Sequence, residues 1–522
     1  MNFDMENQQT QALPKQEKGL STFNGIILLV SAVVGIGIFF KNGSVFKSNS
    51  FNGWGTLGTW LISIFIVMCL ALAFIEVISS NKKGQKGGIS SWAANFLGEK
   101  AGIYISVLFG FVFNTLLAFC LNFFFAEAFA YFISKTFKND VLINNFGLLF
   151  LVAMILTVYL TLISGFLPKV NTNVGRYVGI IKFVPVALVI LAGIIYAIVT
   201  KDSGYYSDVI IVNEDTTTYP NTFNFPGMLL AIPPVLFALD GFTVVTNFSS
   251  KFKDPKKQLP KTLVWGYLLI AAIYILVTVA QTLVEQSDFF GMGVLFTQPW
   301  LKEAYGITFS LLLTVVTFVS CSVMANASVY SLQHLAENKQ LVFSDNVASL
   351  VNGKCFSRVK NREVLCGFVY FVVIEVFLGL AIYIPSFLLN TDQIIDQVTN
   401  TSVIFSFICF VAILVGSLVN RTTNKVAVEK TKYHWATSVI SIVAFTVVTL
   451  FSFFYGNLID PILNPTGDTS LGLFYGGRRL NNMEAAIIFW IYTIVLGALP
   501  ILISNYLVFK TGSAPLKQNE NL

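Results

Sequence analysis

The sequence predicts an all-α membrane protein of about twelve transmembrane helices, and two observations carry that prediction. Of its 522 residues, 55% are hydrophobic and only 11% charged, where soluble domains carry roughly 25% charged residues. The apolar residues also gather into runs of ~20, the length at which a helix crosses a hydrocarbon core while satisfying its own backbone hydrogen bonds.

Twelve such runs lie near 21–46, 55–80, 101–134, 145–165, 173–199, 226–250, 262–284, 306–333, 364–388, 400–419, 435–456 and 485–509. The longest polar connections, 201–224, 335–363 and 457–484, are too short to hold a globular domain of their own. Residues Met1 to Leu20 are polar and mixed in charge. They lack the basic-then-apolar layout of a cleaved signal, so the first span is the expected insertion signal. There is no phosphate-cradling GxxxxGK[ST] loop and no metal-spaced Cys/His cluster, so neither an ATPase engine nor a metal or cofactor site is expected. The six cysteines are scattered and make no disulfide framework.

With an even number of spans, both tails and the loops after spans 2, 4, 6, 8 and 10 share one side. That side holds 24 of the 33 lysines and arginines. The other holds eight, Lys41 and Lys47 among them, and Lys182 stands alone inside a span. The positive-inside rule therefore places the tails, 1–20 and 510–522, in the cytoplasm of a cell-membrane protein. The net charge of +6 is accounted for by these loops facing anionic lipid, and no nucleic-acid partner is expected. Usage rich in phenylalanine, asparagine and lysine points to a low-GC bacterial genome.

Two spans contain breakers. The first reads Val33-Val34-Gly35-Ile36-Gly37-Ile38-Phe39, and the sixth reads Pro233-Pro234-Val235-Leu236-Phe237-Ala238-Leu239-Asp240-Gly241-Phe242. If spans 1–5 (21–199) and 6–10 (226–419) are inverted repeats followed by spans 11 and 12 (435–509), the interruptions fall at equivalent places and meet near the bilayer midplane. An interrupted helix exposes N–H groups at the start of one half and C=O groups at the end of the other, each end carrying about half an elementary charge. Such a pair of ends fits a zwitterion, with its carboxylate on the amides of Gly35, Ile36 and Gly37 and its ammonium on the carbonyls of 237–240. The alternative is a pair of packing glycines and a proline kink.

These residues resemble the amino acid, polyamine and organocation permease superfamily. Gly35-Ile36-Gly37-Ile38-Phe39 resembles its GxGIF signature, and Ala71-Leu72-Ala73-Phe74-Ile75-Glu76 through Gly87-Gly88 is similar to its second-span segment. Phe237-Ala238-Leu239-Asp240-Gly241 followed by Lys253-Asp254-Pro255 and Leu259-Pro260 is similar to its FxxxGxE...KNPxxxIP stretch, and Ser328 to Asn338 to the segment after its eighth span. Ile36, Thr243 and Ser328 depart from the family's usual serine, glutamate and arginine, which leaves the inner gate and the substrate subtype open.

The resemblance implies a five-plus-five inverted-repeat fold with two extra helices, and a secondary-active permease, symporter or antiporter, that works by alternating access. An aromatic side chain at the place of Phe237 would close over substrate. The candidate substrate-binding residues are accordingly Val33, Gly35, Ile36, Gly37, Asn114, Phe237, Leu239, Asp240 and Gly241.

Lys182, about nine residues into the fifth span, costs about 2.5 to 3.5 kcal/mol to place at a helix centre. The resemblance implies that its ammonium stands in for a sodium ion between spans 1 and 8, which would make Lys182 and Ser320 candidate coupling residues and a proton, or a sodium ion, the coupling partner. Snorkelling toward headgroups is the alternative for the lysine. For Ser320, with Thr317 and Ser322, the alternative is bonding to its own backbone. Asp240 could pair with a cationic group or cap the freed amides after the break. Asn114 could face substrate or tie two helices together. Glu76 and Glu127, near span ends, are expected to reach headgroup water.

An amino acid is the expected substrate, with a polyamine or other organic cation as the alternative. A channel should show rings of carbonyls or charges, and none is visible. A non-transporting sensor would need a signalling domain or a long tail.

Overall fold

The computed structural model describes residues 21–80, 88–167, 169–170, 173, 181–200, 209–212, 217–220, 223–243, 252, 254–284, 289, 292–293, 296, 298–337, 339–352, 364–473 and 477–511. Nine described helices are long and apolar enough to cross a membrane. One further span is a bent pair, and two shorter apolar helices, Phe183–Val199 and Phe225–Leu239, stand where spans 5 and 6 are expected. The chain is a multi-pass, nearly all-helical membrane protein. A two-stranded hairpin, Val209–Val212 with Thr217–Pro220, lies in the connection between spans 5 and 6.

Span 1 is the half-helices Thr22–Val33 and Ile36–Ser48, which meet at 54°. Span 2 is Gly53–Ile78 and span 3 runs over Glu99–Phe137 through a π-helical turn at Leu108–Phe113. Span 4 is Phe146–Phe166 and span 5 is Phe183–Thr200. Spans 7 to 12 are Pro255–Val284, Pro299–Glu337, Leu365–Leu389, Gln393–Thr423, His434–Leu463 and Asn482–Thr511.

The bundle inverts the pattern of a soluble protein. Leu151, Ile155, Val158 and Leu162 form one fully apolar face of span 4, and all four are exposed. Hydrocarbon is the solvent such a face matches. The interior carries the polar residues instead: in span 10, Gln393, Asp396, Thr399, Asn400, Thr401 and Ser402 are all buried. The expected start of that span, residue 400, is therefore seven residues late. Polar side chains end an apolar run in the sequence, yet they continue a helix whose neighbours are protein. Lys41 is corrected for the same reason. It was counted as a loop residue but lies within span 1 and is 0% exposed.

Glu76 and Glu127 are likewise fully buried within protein, so their carboxyl groups do not reach water as expected. Glu76 accepts bonds from the Arg421 guanidinium and from the Thr431 amide (2.8 Å), with His434 3.9 Å away. One carboxylate thus ties the loop after span 10 to the end of span 2, on the side of the bundle where the chain begins. Glu76→Ala leaves partly buried donors without an acceptor, a loss of about 1–3 kcal/mol. A lower thermal midpoint in detergent is expected, with a smaller drop for Glu76→Gln; an unchanged midpoint would show the loop to be anchored elsewhere.

Candidate functional site

The site is built where spans 1 and 6 lose helical continuity. Val34 (φ −72°, ψ 110°) and Gly35 (φ −172°, ψ −138°) are extended, and the helix restarts at Ile36 with no side-chain cap. Two glycines within three residues, each about 1 kcal/mol poorer than alanine in a helix interior, mark the weak point. The first half of span 6, residues Phe225–Leu230 and Ile232–Leu239, ends at an extended Asp240 (φ −66°, ψ 135°). Gly241 follows at φ 151°, a backbone region that side chains rarely adopt. Residues 244–250, the rest of the expected sixth span, lie outside the described residues.

The two breaks touch each other. A Cβ on Gly37 would sit 2.4 Å from the Ala238 Cα, and one on Gly241 would sit 2.9 Å from the Val33 Cγ2. Two tyrosines of span 7 reinforce the junction. The Tyr274 hydroxyl is shared between the carbonyls of Val33 (3.0 Å) and Ala238 (3.1 Å), and Tyr267 donates to the Leu239 carbonyl (3.4 Å). The carbonyl ends of both half-helices are therefore held by span 7. The amide end is different: a Cβ on Gly35 would meet nothing within 4 Å, so the uncapped start of the second half-helix opens onto free space. Positive potential at that end favours a carboxylate or a similar anion.

Of the expected site residues, Val33, Ile36 and Leu239 have buried side chains, so they contribute backbone to the junction. Asp240 is half-buried. Its carboxyl faces the Gly241 amide, as a cap would, while its Oδ1 has no hydrogen-bond partner. Asn114 bonds Ser331 (3.4 Å), and its carbonyl accepts from Ser328 (2.9 Å), which ties span 3 to span 8. Lys182 directly precedes the span 5 helix and donates to the Ser31 carbonyl, just ahead of the break. Ser320 bonds the Val316 carbonyl (3.0 Å), and Thr317 bonds the carbonyls of Leu313 and Thr314. Residues 174–180, on the approach to Lys182, are outside the described residues.

Sequence reasoning missed the residues above the breaks. The Lys41 ammonium pairs with Asp396 of span 10 and donates to Thr399 Oγ1 and Asn400 Oδ1, both at 2.9 Å. It also lies 4.7 Å from the centre of the Phe237 ring and 5.7 Å from that of Phe124. Four residues beyond Gly37, a buried cation thus spreads over the aromatic side chain expected to cover substrate. A burial this complete is sustained because the ammonium is paired and its donors are used. The available signal was position: Lys41 falls inside the first apolar run, and Asp396 lies within a helix length of the tenth.

A family model described as amino acid permease matches residues 20–475. An uncharacterized protein of Mycoplasma pneumoniae is 22% identical over 87% of this chain and 86% of its own length. The serine/threonine exchanger SteT of Bacillus subtilis is 24% identical over 64% of this chain and 71% of its length, and the methylthioribose transporter of the same organism is 25% identical over 50% and 54%.

Gly37→Ala tests the junction. Overpacking against backbone costs about 1–3 kcal/mol, so a lower thermal midpoint is expected. Adding Ala238→Gly is expected not to restore it, because the nearest atom is the Ala238 Cα. A wild-type midpoint in the single variant would mean that the half-helices are further apart.

Proposed function

Because this chain belongs to the amino acid permease family, we propose that it is a secondary-active amino acid transporter, an exchanger or a proton symporter, working by alternating access. The observation that carries the reading is the junction itself. Two interrupted helices lie in contact, one presenting uncapped amides to open space and the other a carboxyl with an unused oxygen. The first suits the substrate's carboxylate and the second its ammonium, and Phe237 beneath Lys41 would form the lid.

In this reading 21–199 and 226–419 are the inverted repeats, the side holding the tails is cytoplasmic, and the opposite side faces outward from a bacterial cell membrane. The burial of Lys41 supports that orientation, since it removes one positive charge from the outer loops. The name of the serine/threonine exchanger supports a small amino acid as substrate and exchange as the mode. An organic cation is the second reading, favoured by the unpartnered Asp240 Oδ1.

Purified protein in liposomes loaded with single amino acids decides among these. Counterflow without a gradient is expected for exchange, and accumulation only under an inward proton gradient for symport; inertness toward every amino acid, with counterflow of a polyamine, would overturn the reading. Lys182→Ala is expected to insert normally and to lose uptake or its pH dependence, and unchanged uptake at every pH would remove Lys182 from the mechanism. Asp240→Asn is expected to alter the preference between lysine and leucine.

A further inference from the structure

On the side opposite the tails, the connection between spans 11 and 12 lies against the ends of spans 1 and 10. Its hold on span 10 is built around one side chain. Gln393, in the first turn of that helix, accepts from the Leu480 amide (2.7 Å) and the Thr469 hydroxyl (3.3 Å) and donates to the Leu471 carbonyl (3.1 Å). The neighbouring carboxyl groups take the next amides, Asp396 from Gly472 (3.0 Å) and Asp392 from Leu473 (2.6 Å).

The same connection reaches span 1. Lys47 donates to the Thr469 carbonyl and Ser44 to the Gly472 carbonyl (3.4 Å). Lys41, Ser44 and Lys47 follow one another at the spacing that puts side chains on one face of a helix, and that face meets Asp396, Gly472 and Thr469 in turn. Thr469 is therefore held from both sides, its carbonyl by Lys47 and its hydroxyl by Gln393.

What Lys47 holds is more than its own helix. The second half of span 1 and the first half of span 6 are joined at both ends. At the break, a Cβ on Gly37 would run into the Ala238 backbone; at the far end, one on Gly227 would overlap the Ser48 carbonyl. Asn224 adds bonds to the Ser48 carbonyl (3.4 Å) and the Ser50 hydroxyl (3.2 Å). The two half-helices form one body that carries Phe237, and the bond to Thr469 fixes where that body stands relative to span 10.

The two ends of this link part with unequal ease. Ser44, Lys47, Thr469 and Leu471 line a cavity of about 440 Å³, so water admitted there can replace the bond between Lys47 and Thr469 at little net cost. Gln393 and Leu480 are 3% and 1% exposed, and buried groups have no such substitute. The connection stays with span 10, and span 1 is the part that leaves.

We propose that Gln393 is a positioning residue of the outer gate: it fixes Thr469 as the stop at which Lys47 holds the joined half-helices of spans 1 and 6 closed over their junction. That this closure belongs to a transport cycle rests on the transporter reading above; the link itself does not.

The test needs no transported solute. Gly35→Cys places a thiol where a Cβ meets nothing within 4 Å. Its rate of modification by a membrane-impermeant methanethiosulfonate in sealed vesicles, above that of protein with Gly35 intact, reports access to the junction. Labelling of Thr466→Cys, an exposed position of the connection, identifies the vesicles that present this face. In the Gly35→Cys background, Lys47→Met and Gln393→Leu are each expected to raise the rate about fivefold, the equivalent of one net hydrogen bond. Lys47→Arg, which keeps a donor, is expected to stay near the parent rate.

Lys47 and Gln393 hold the same residue in series, so the double variant is expected to label no faster than either single one. A parent rate in Lys47→Met or in Gln393→Leu overturns the link, and effects that multiply in the double variant overturn the assignment to Gln393. Should Gln393→Leu not be monodisperse, Gln393→Asn, whose amide is one methylene shorter, takes its place with the same expectation. If labelling follows this pattern while liposomes exchange no amino acid, the transporter reading fails and the link stands.

Discussion

A helix that stops halfway through a membrane leaves peptide groups that water would satisfy elsewhere and hydrocarbon never can. This protein has two such stops, and the rest of the site depends on their lying side by side. Gly37 has no side chain because the Ala238 backbone occupies its place, and Gly241 adopts a φ reserved for glycine against Val33. Span 7 then supplies Tyr274 and Tyr267 to the carbonyl ends. What remains unsatisfied is one-sided: the amides at the start of the second half-helix of span 1, beside the open space at Gly35. The polarity of the pocket follows from which orphan groups the fold chose to cover.

Charge is handled by the same economy. Faces toward lipid, such as the Leu151 to Leu162 stripe, are apolar. Several buried ionisable groups find their partners across long stretches of chain. Lys41 meets Asp396 above the breaks, Glu76 meets Arg421 at the side where the chain begins, and Glu375 of span 9 accepts from Thr161 of span 4. Removing one partner of such a pair strands the other in a medium that cannot solvate it, so these contacts specify which helices must be neighbours.

The expected roles divide accordingly. Asn114, Ser320 and Thr317 satisfy helix–helix or intrahelical hydrogen bonds. Lys182 reaches span 1 at Ser31, beside the first break. Asp240 combines a capping position with an oxygen left over. Phe237 sits under a cation that sequence inspection had assigned to a loop.

Composition, apolar run length and the order of breakers were enough, by themselves, to fix the solvent of this protein, its multi-pass helical class and the two places where helices fail. These are local properties: a 20-residue apolar run can only cross, and a Gly-Ile-Gly or Asp-Gly within it can only weaken. The tertiary structure alone decided which groups meet. Lys41 and Asp396 are 355 residues apart, and Tyr274 reaches Val33 across 241. Nothing in the neighbourhood of any of these residues announces its partner. A polar residue in a span reads as a boundary until the helices opposite it are known, because burial in protein and exposure to headgroup water leave the same mark on a sequence and opposite marks on a fold.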